Sequence, residues 1–247
     1  WTFLLLRTGS IVKGITTKNV LLRGIYLLTA LFSIQLFAQQ LPDPQRFESD
    51  IRRYEQQDLA KLPPQGAILL TGSSSIARWS QAEEAFAPLT VIPRGFGGSI
   101  MNDLLYYLDR VALTYKPRAI LIYEGDNDTA LRDPIPNEII LDQLEQIIAK
   151  IHRELPETRI YVLAVKPSVS RRSVWPVAQQ VNASYIDLAD SNPLVYYIDV
   201  ATPLLGPDGN VRTDIFVSDN LHLNDLGNEI WGATIKSALM PYEAEFE

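Results

Sequence analysis

Cysteine is absent from the 247 residues. That excludes a thiolate nucleophile, a cysteine-ligated zinc site and any disulfide, but leaves the compartment open, since an exported protein can do without bridges. Histidine is scarce as well: His152 and His222 are the only two, so a mechanism that needs an imidazole has two candidates. Acid is missing from the first 38 residues, which hold Arg7, Lys13, Lys18 and Arg23, and the remainder carries 18 basic against 29 acidic residues, a net charge of −11. No basic stripe exists to contact phosphates, which excludes nucleic acid as the partner. The chain also lacks internal repeats and low-complexity segments.

No long hydrophobic run is present either. The uncharged stretch from Gly24 to Ala38 is 15 residues, short of the roughly 18 to 20 apolar residues of a spanning helix. Lys18 and Arg23 precede it and polar, proline-rich sequence follows, the layout of a secretory signal peptide cleaved near Ala38. The expected location is therefore periplasmic or secreted. A membrane anchor formed by the same segment and a cytoplasmic location are the alternatives. Residues 1–17 sit awkwardly ahead of this signal and the chain opens on Trp1, which points to a mis-set or truncated start.

What is there is the composition of a folded domain, 47% hydrophobic and 21% charged. Three segments are expected: an N-terminal extension with the signal over 1–38, an amphipathic helix and linker over 39–64, and a single domain over 65–247. Asp43-Pro44 supplies a helix cap and first-turn proline, with Phe47, Ile51 and Tyr54 at helical spacing. Beyond "LPPQG" at 62–66, apolar runs at 67–71, 90–92, 119–124, 159–164 and 195–199 read as strands. Helical patterns fall between them at 100–112, 139–155, 175–190 and 224–239. Strands apolar on successive residues have both faces covered. The alternation predicts a three-layer α/β/α sandwich, flavodoxin-like, around a mainly parallel sheet of about five strands.

Sites in such sheets gather beyond the carboxyl ends of the strands, which selects four loops: "GSSS" at 72–75, "RGFGGS" at 94–99, "GDND" at 125–128 and "SDNLHLND" at 218–225. A serine hydroxyl becomes a nucleophile when a base removes its proton, and histidine is the usual base. His152 lies at the edge of the apolar stripe of the 139–155 helix and reads as structural. His222 lies in a loop three residues after Asp219, a carboxylate placed to hold its tautomer. On its own, each loop has an ordinary reading: serines capping a helix, a turn glycine, a surface hydrogen bond. The first is not a G-x-S-x-G elbow, because Ile76 stands at the second glycine, so an α/β-hydrolase is disfavoured. The second is not G-x-G-x-x-G, with Ile100 in last place, and no Walker lysine follows. The third lacks the spacing of an EF-hand, so no metal is expected.

Taken in order, the four loops resemble the four conserved blocks of the SGNH hydrolase superfamily, also called GDSL lipases and acylhydrolases. The resemblance spans about residues 65–240 and implies the α/β/α fold already expected. It maps a nucleophile to Ser74 within Gly72-Ser73-Ser74, an oxyanion-hole glycine to Gly98, an oxyanion-hole amide to Asn127 within Gly125-Asp126-Asn127-Asp128, and a dyad to Asp219 and His222. Ser73 replaces the usual aspartate. Pro93 stands where an asparagine often precedes the second-block glycines, so Gly97 and Gly95 stay open beside Gly98.

The implied activity is that of a serine esterase cleaving carboxylic esters, of short acyl or acetyl chains, through an acyl-serine, with the backbone N–H groups of Ser74 and Gly98 and the Asn127 amide facing the oxyanion. No cofactor is expected. The partner is a small-molecule ester, an acylated glycan or a lipid. An O-acyltransferase acting on a sugar and a non-catalytic carbohydrate- or lipid-binding domain are the alternatives. The stretch Lys166–Trp175 is a candidate pocket rim where Arg171 and Arg172 could attract an anion, against the plainer reading of a solvated basic loop.

Overall fold

The computed structural model describes residues 41–247. The expected signal sequence and its cleavage point at Ala38 lie outside the described residues. Pro42–Glu247 form one compact unit. Five strands, β1 (Ile68–Gly72), β2 (Val91–Gly95), β3 (Ala119–Tyr123), β4 (Arg159–Leu163) and β5 (Val195–Ile198), make one sheet in the order β2-β1-β3-β4-β5. Every pairing is parallel. Strands β1 and β3 are buried along their whole length, which explains why their sequences run apolar without alternation.

The helices are α1 (Glu48–Ala60), α2 (Ser74–Ala77), α3 (Ala82–Phe86), α4 (Met101–Val111), α5 (Asp126–Ala130), α6 (Asn137–Glu154), α7 (Trp175–Asp190) and α8 (Asp225–Glu243). Helix α4 packs on α6 and α6 on α7, while α3 packs on α8. Alternate strand residues Ile68, Leu70, Leu121, Tyr123, Tyr161 and Leu163 share one cluster with Trp79, Phe86, Trp231 and Ile235 on the α3–α8 side. Because successive side chains point to opposite faces, the intervening Leu69, Ile120, Ile122 and Val162 face the other helical layer. The result is the three-layer sandwich expected from the sequence.

Strand β2 runs through Pro93 to Gly95 instead of stopping at 92. It is an edge strand paired only with β1, and an edge tolerates the missing N–H of a proline. Segment 44–60 packs against the sheet domain: Phe47 meets Phe96 edge to face, Arg46 pairs with buried Asp103, and Arg94 pairs with Asp58. The strand order reverses direction between β1 and β3, which opens a crevice at their carboxyl ends. The loops that carry Ser74 and Asn127 begin there.

Candidate active site

Gly72 ends β1 at φ +138, and a Cβ there would come 2.2 Å from the Tyr123 carbonyl oxygen. Only glycine lets the two strand ends approach this closely. Ser73 then donates its N–H to that same carbonyl at 3.2 Å and leaves the chain at the first turn of α2. The three serines part ways at this point. Ser73 is buried at the N-cap, Ser74 Oγ lies 2.8 Å from His222 Nε2, and Ser75 lines a recess that His222 also lines.

Asp219 and His222 are joined through a turn that their spacing makes possible. Asn220 adopts φ +58, a conformation asparagine tolerates better than most residues. Asp219 Oδ1 accepts the N–H groups of Leu221 and His222, both at 2.9 Å. Its Oδ2 lies 2.6 Å from His222 Nδ1. Burial works against the carboxylate, but these backbone donors and the ring hold its pKa far below the ordinary range. An ionised Asp219 accepts from Nδ1–H, which leaves Nε2 unprotonated toward Ser74 Oγ. Arg78 Nη1 lies 3.0 Å from Nδ1 and 3.6 Å from Asp219 Oδ2, adding positive charge beside the pair.

Opposite the histidine, Phe96 to Ser99 form a turn closed by Ser99 N–H to the Phe96 carbonyl at 3.3 Å. Gly98 takes φ +90 at its third position, as a type II turn requires. Gly97 lies against Ser74, whose Cβ is 3.8 Å from where a glycine Cβ would stand. The N–H groups of Ser74, Gly97 and Gly98 have no hydrogen-bond acceptor among the described residues. Gly95 is accounted for by packing, since a Cβ there would come 2.7 Å from Ile76 Cβ.

Asn127 Nδ2 donates to the Ser99 carbonyl at 2.8 Å, and Arg171 Nη2 donates to Asn127 Oδ1 at 2.8 Å. These two bonds fix which end of the amide is which and leave one N–H of Nδ2 without an acceptor. Asp128, the last residue of the block, bridges the loops: its Oδ1 accepts from Met101 N–H and its Oδ2 from Gly125 N–H. Burial raises its pKa to about 6. Sequence reasoning singled out Asp128 only as part of a pattern. The signal was a buried carboxylate positioned to cap two helices, which becomes visible once the first turns of α4 and α5 are joined through Asp128.

The candidate rim at 166–175 is different from its expected form. Lys166 is 2% exposed and lies 3.4 Å from Asp126 Oδ2 while donating to the Leu221 carbonyl at 2.9 Å. Arg171 donates to Asp126 Oδ1 at 2.5 Å. Neither is a solvated charge available to an anion, because the buried Asp126 carboxylate consumes both. Burial alone would raise Asp126, yet Lys166 and Arg171 hold it below its ordinary value. Arg172 remains exposed. His152 is tied to the Thr158 carbonyl at 3.1 Å on α6, remote in chain and element from the four loops. Among the described residues no three histidine, aspartate or glutamate side chains are grouped to hold a metal ion, and no helix is long and apolar enough to cross a membrane.

The GDSL-like lipase/acylhydrolase family model matches residues 65–230, an interval holding all four loops. The chain belongs to this family. Membership makes it an ester hydrolase in general terms. Solved structures share the fold. A Streptococcus pneumonia protein proposed as a platelet activating factor superposes with TM-score 0.70 at 23% identity, over 91% of this chain and 99% of that one. A GDSL-like lipase from Bacteroides thetaiotaomicron gives 0.67 at 18%, over 77% and 97%. A catalytic mutant of an acetylxylan esterase from Geobacillus stearothermophilus gives 0.57 at 13%, over 71% and 94%. No curated protein matches the chain.

Proposed function

We propose that this acylhydrolase is a serine esterase acting on carboxylic esters of short acyl or acetyl groups through an acyl-serine intermediate. The observation that carries the reading is the continuous chain Ser74 Oγ, His222 Nε2, His222 Nδ1, Asp219 Oδ2, with links of 2.8 and 2.6 Å. His222 takes the Ser74 proton as Oγ forms its bond to the ester carbonyl carbon. The carbonyl oxygen becomes an oxyanion facing the Ser74 and Gly98 N–H groups and the free N–H of Asn127. The C–O bond to the alcohol then breaks, and the alcohol leaves with the proton from His222. Water, deprotonated by His222, attacks the acyl-serine, releases the acid and returns the proton to Ser74.

Arg171 and Asp126 act behind the site, holding the Asn127 amide in one orientation. The test is hydrolysis of p-nitrophenyl acetate, butyrate and octanoate by the purified chain beside Ser74→Ala and His222→Ala. Each substitution is expected to reduce kcat by at least about 1,000-fold. Equal turnover by Ser74→Ala would overturn the acyl-serine route. We also read the protein as exported, on the strength of the basic residues and uncharged run ahead of Ala38. N-terminal sequencing of material from the producing cell tests that reading.

A further inference from the structure

A recess of about 370 Å3 opens beside His222, lined among others by Ser75, Arg78, Gln81, Asp225 and Asn228. Its size is that of a small-ligand pocket. Trp79 and Leu223, 4% and 8% exposed, back it. Ser75 is itself only 9% exposed, yet its hydroxyl is unbonded. The side chains of Gln81, Asp225 and Asn228 likewise have no hydrogen-bond partner among the described residues. Four uncommitted polar groups therefore converge on one small volume.

Resting on the esterase reading above, we propose that this recess receives the alcohol half of the ester and that the alcohol is a neutral, sugar-like polyol. Of the reacting groups, His222 lines the recess, while Ser74, Gly97, Gly98 and Asn127 do not. The oxyanion lies toward the amide donors, and the departing oxygen must lie within reach of the His222 Nε2 proton. The histidine side is thus where the alcohol leaves. An alkyl alcohol there would displace water from Ser75, Gln81, Asp225 and Asn228 without replacing its hydrogen bonds, whereas a polyol replaces them. Arg78 and Asp225 place one charge of each sign on the lining, which suits a neutral partner over an anionic or cationic one.

The test compares two acetates of similar shape, glucose 6-acetate and cyclohexylmethyl acetate, by kcat/KM. The sugar ester is expected to be favoured by at least about 10-fold, since a site built to bond hydroxyls rejects an analogue without them. Asn228→Leu and Gln81→Leu are each expected to shrink that ratio severalfold through a higher KM for the sugar ester. Gln81 is exposed, so its variant remains informative where the other fails to fold. A parent ratio near one, or a ratio unmoved in both variants, overturns the proposal while leaving the esterase reading intact. Failure of that reading is a separate result: p-nitrophenyl acetate turnover that does not depend on Ser74.

Discussion

Arg171 Nη2 donates to Asn127 Oδ1 at 2.8 Å while its Nη1 holds Asp126 at 2.5 Å, so one guanidinium grips two consecutive residues of the same loop. A planar fork of donors does this where a lysine could not. The grip fixes the Asn127 amide with Nδ2 on the Ser99 side, where its second N–H serves the proposed oxyanion.

Replacing Arg171 by methionine frees that amide to rotate and leaves buried Asp126 with only Lys166 and Tyr123 as partners. The expected result is a kcat lower by about 10- to 100-fold, less than the 100- to 1,000-fold typical of losing an oxyanion donor outright. KM for p-nitrophenyl acetate should change little. In the double variant with Asn127→Ala the two losses should not add, because Arg171 acts through Asn127. Additive losses would show that it acts elsewhere.

Asp219→Asn makes a sharper prediction than removal of the side chain. Oδ1 must keep accepting the Leu221 and His222 N–H groups, so the new amide nitrogen falls where Oδ2 faced Nδ1. It donates to Nδ1 and forces the proton onto Nε2, where it blocks transfer from Ser74. A loss in kcat of about 1,000- to 10,000-fold is expected with the fold unchanged. A loss below 10-fold would mean that the Nδ1–H tautomer does not depend on the Asp219 carboxylate.

Much of the fold was legible because buried parallel strands announce themselves as short apolar runs. "AILLT", "AILIY" and "IYVLA" all became core strands. Strand β2 was cut short in the sequence because Pro93-Arg94-Gly95 has the composition of a loop, and only its edge position explains why it pairs. In the site, Asn127, Asp219 and His222 could be nominated because they fall in loops after β3 and β5, whereas the choice of Ser74 among three neighbouring serines came from the resemblance to the SGNH superfamily. Lys166 and Arg171 could not be interpreted, since their partner Asp126 lies 40 and 45 residues away and a lone basic pair looks solvated. Glu124 reads as the polar end of a strand, and nothing local shows that it is sealed.

Gly72→Ala tests the closeness of the two strand ends. A methyl group 2.2 Å from the Tyr123 carbonyl oxygen must push β1 from β3 or pull Ser73 out of line. Destabilisation above about 3 kcal/mol is expected in urea melts, by overpacking together with the unfavourable φ. A variant within 1 kcal/mol of the parent would show that the strand ends have room to separate.

Stability should rise as pH falls from 7 to 5. Burial drives the Glu124 pKa far above its ordinary value, with Asp128 close by adding to the effect, and raises Asp103 and Asp128 to about 6 each. Ser99 Oγ donates to Glu124 Oε1 at 2.5 Å, while Oε2 is buried without a partner. In the unfolded chain these carboxyls titrate near 4, so between pH 7 and 5 the native state holds protons that the unfolded state has released. Lowering pH therefore favours the native state, by about 1.4 kcal/mol per pH unit for each proton held. Asp219 works with the opposite sign, since its lowered pKa contributes stability that is lost only as pH falls below its unfolded value, outside this window. Urea midpoints at pH 7, 6 and 5 check the slope, and Glu124→Gln should remove about one proton's worth of it. An identical slope in parent and variant would mean that Glu124 is ionised in the native protein.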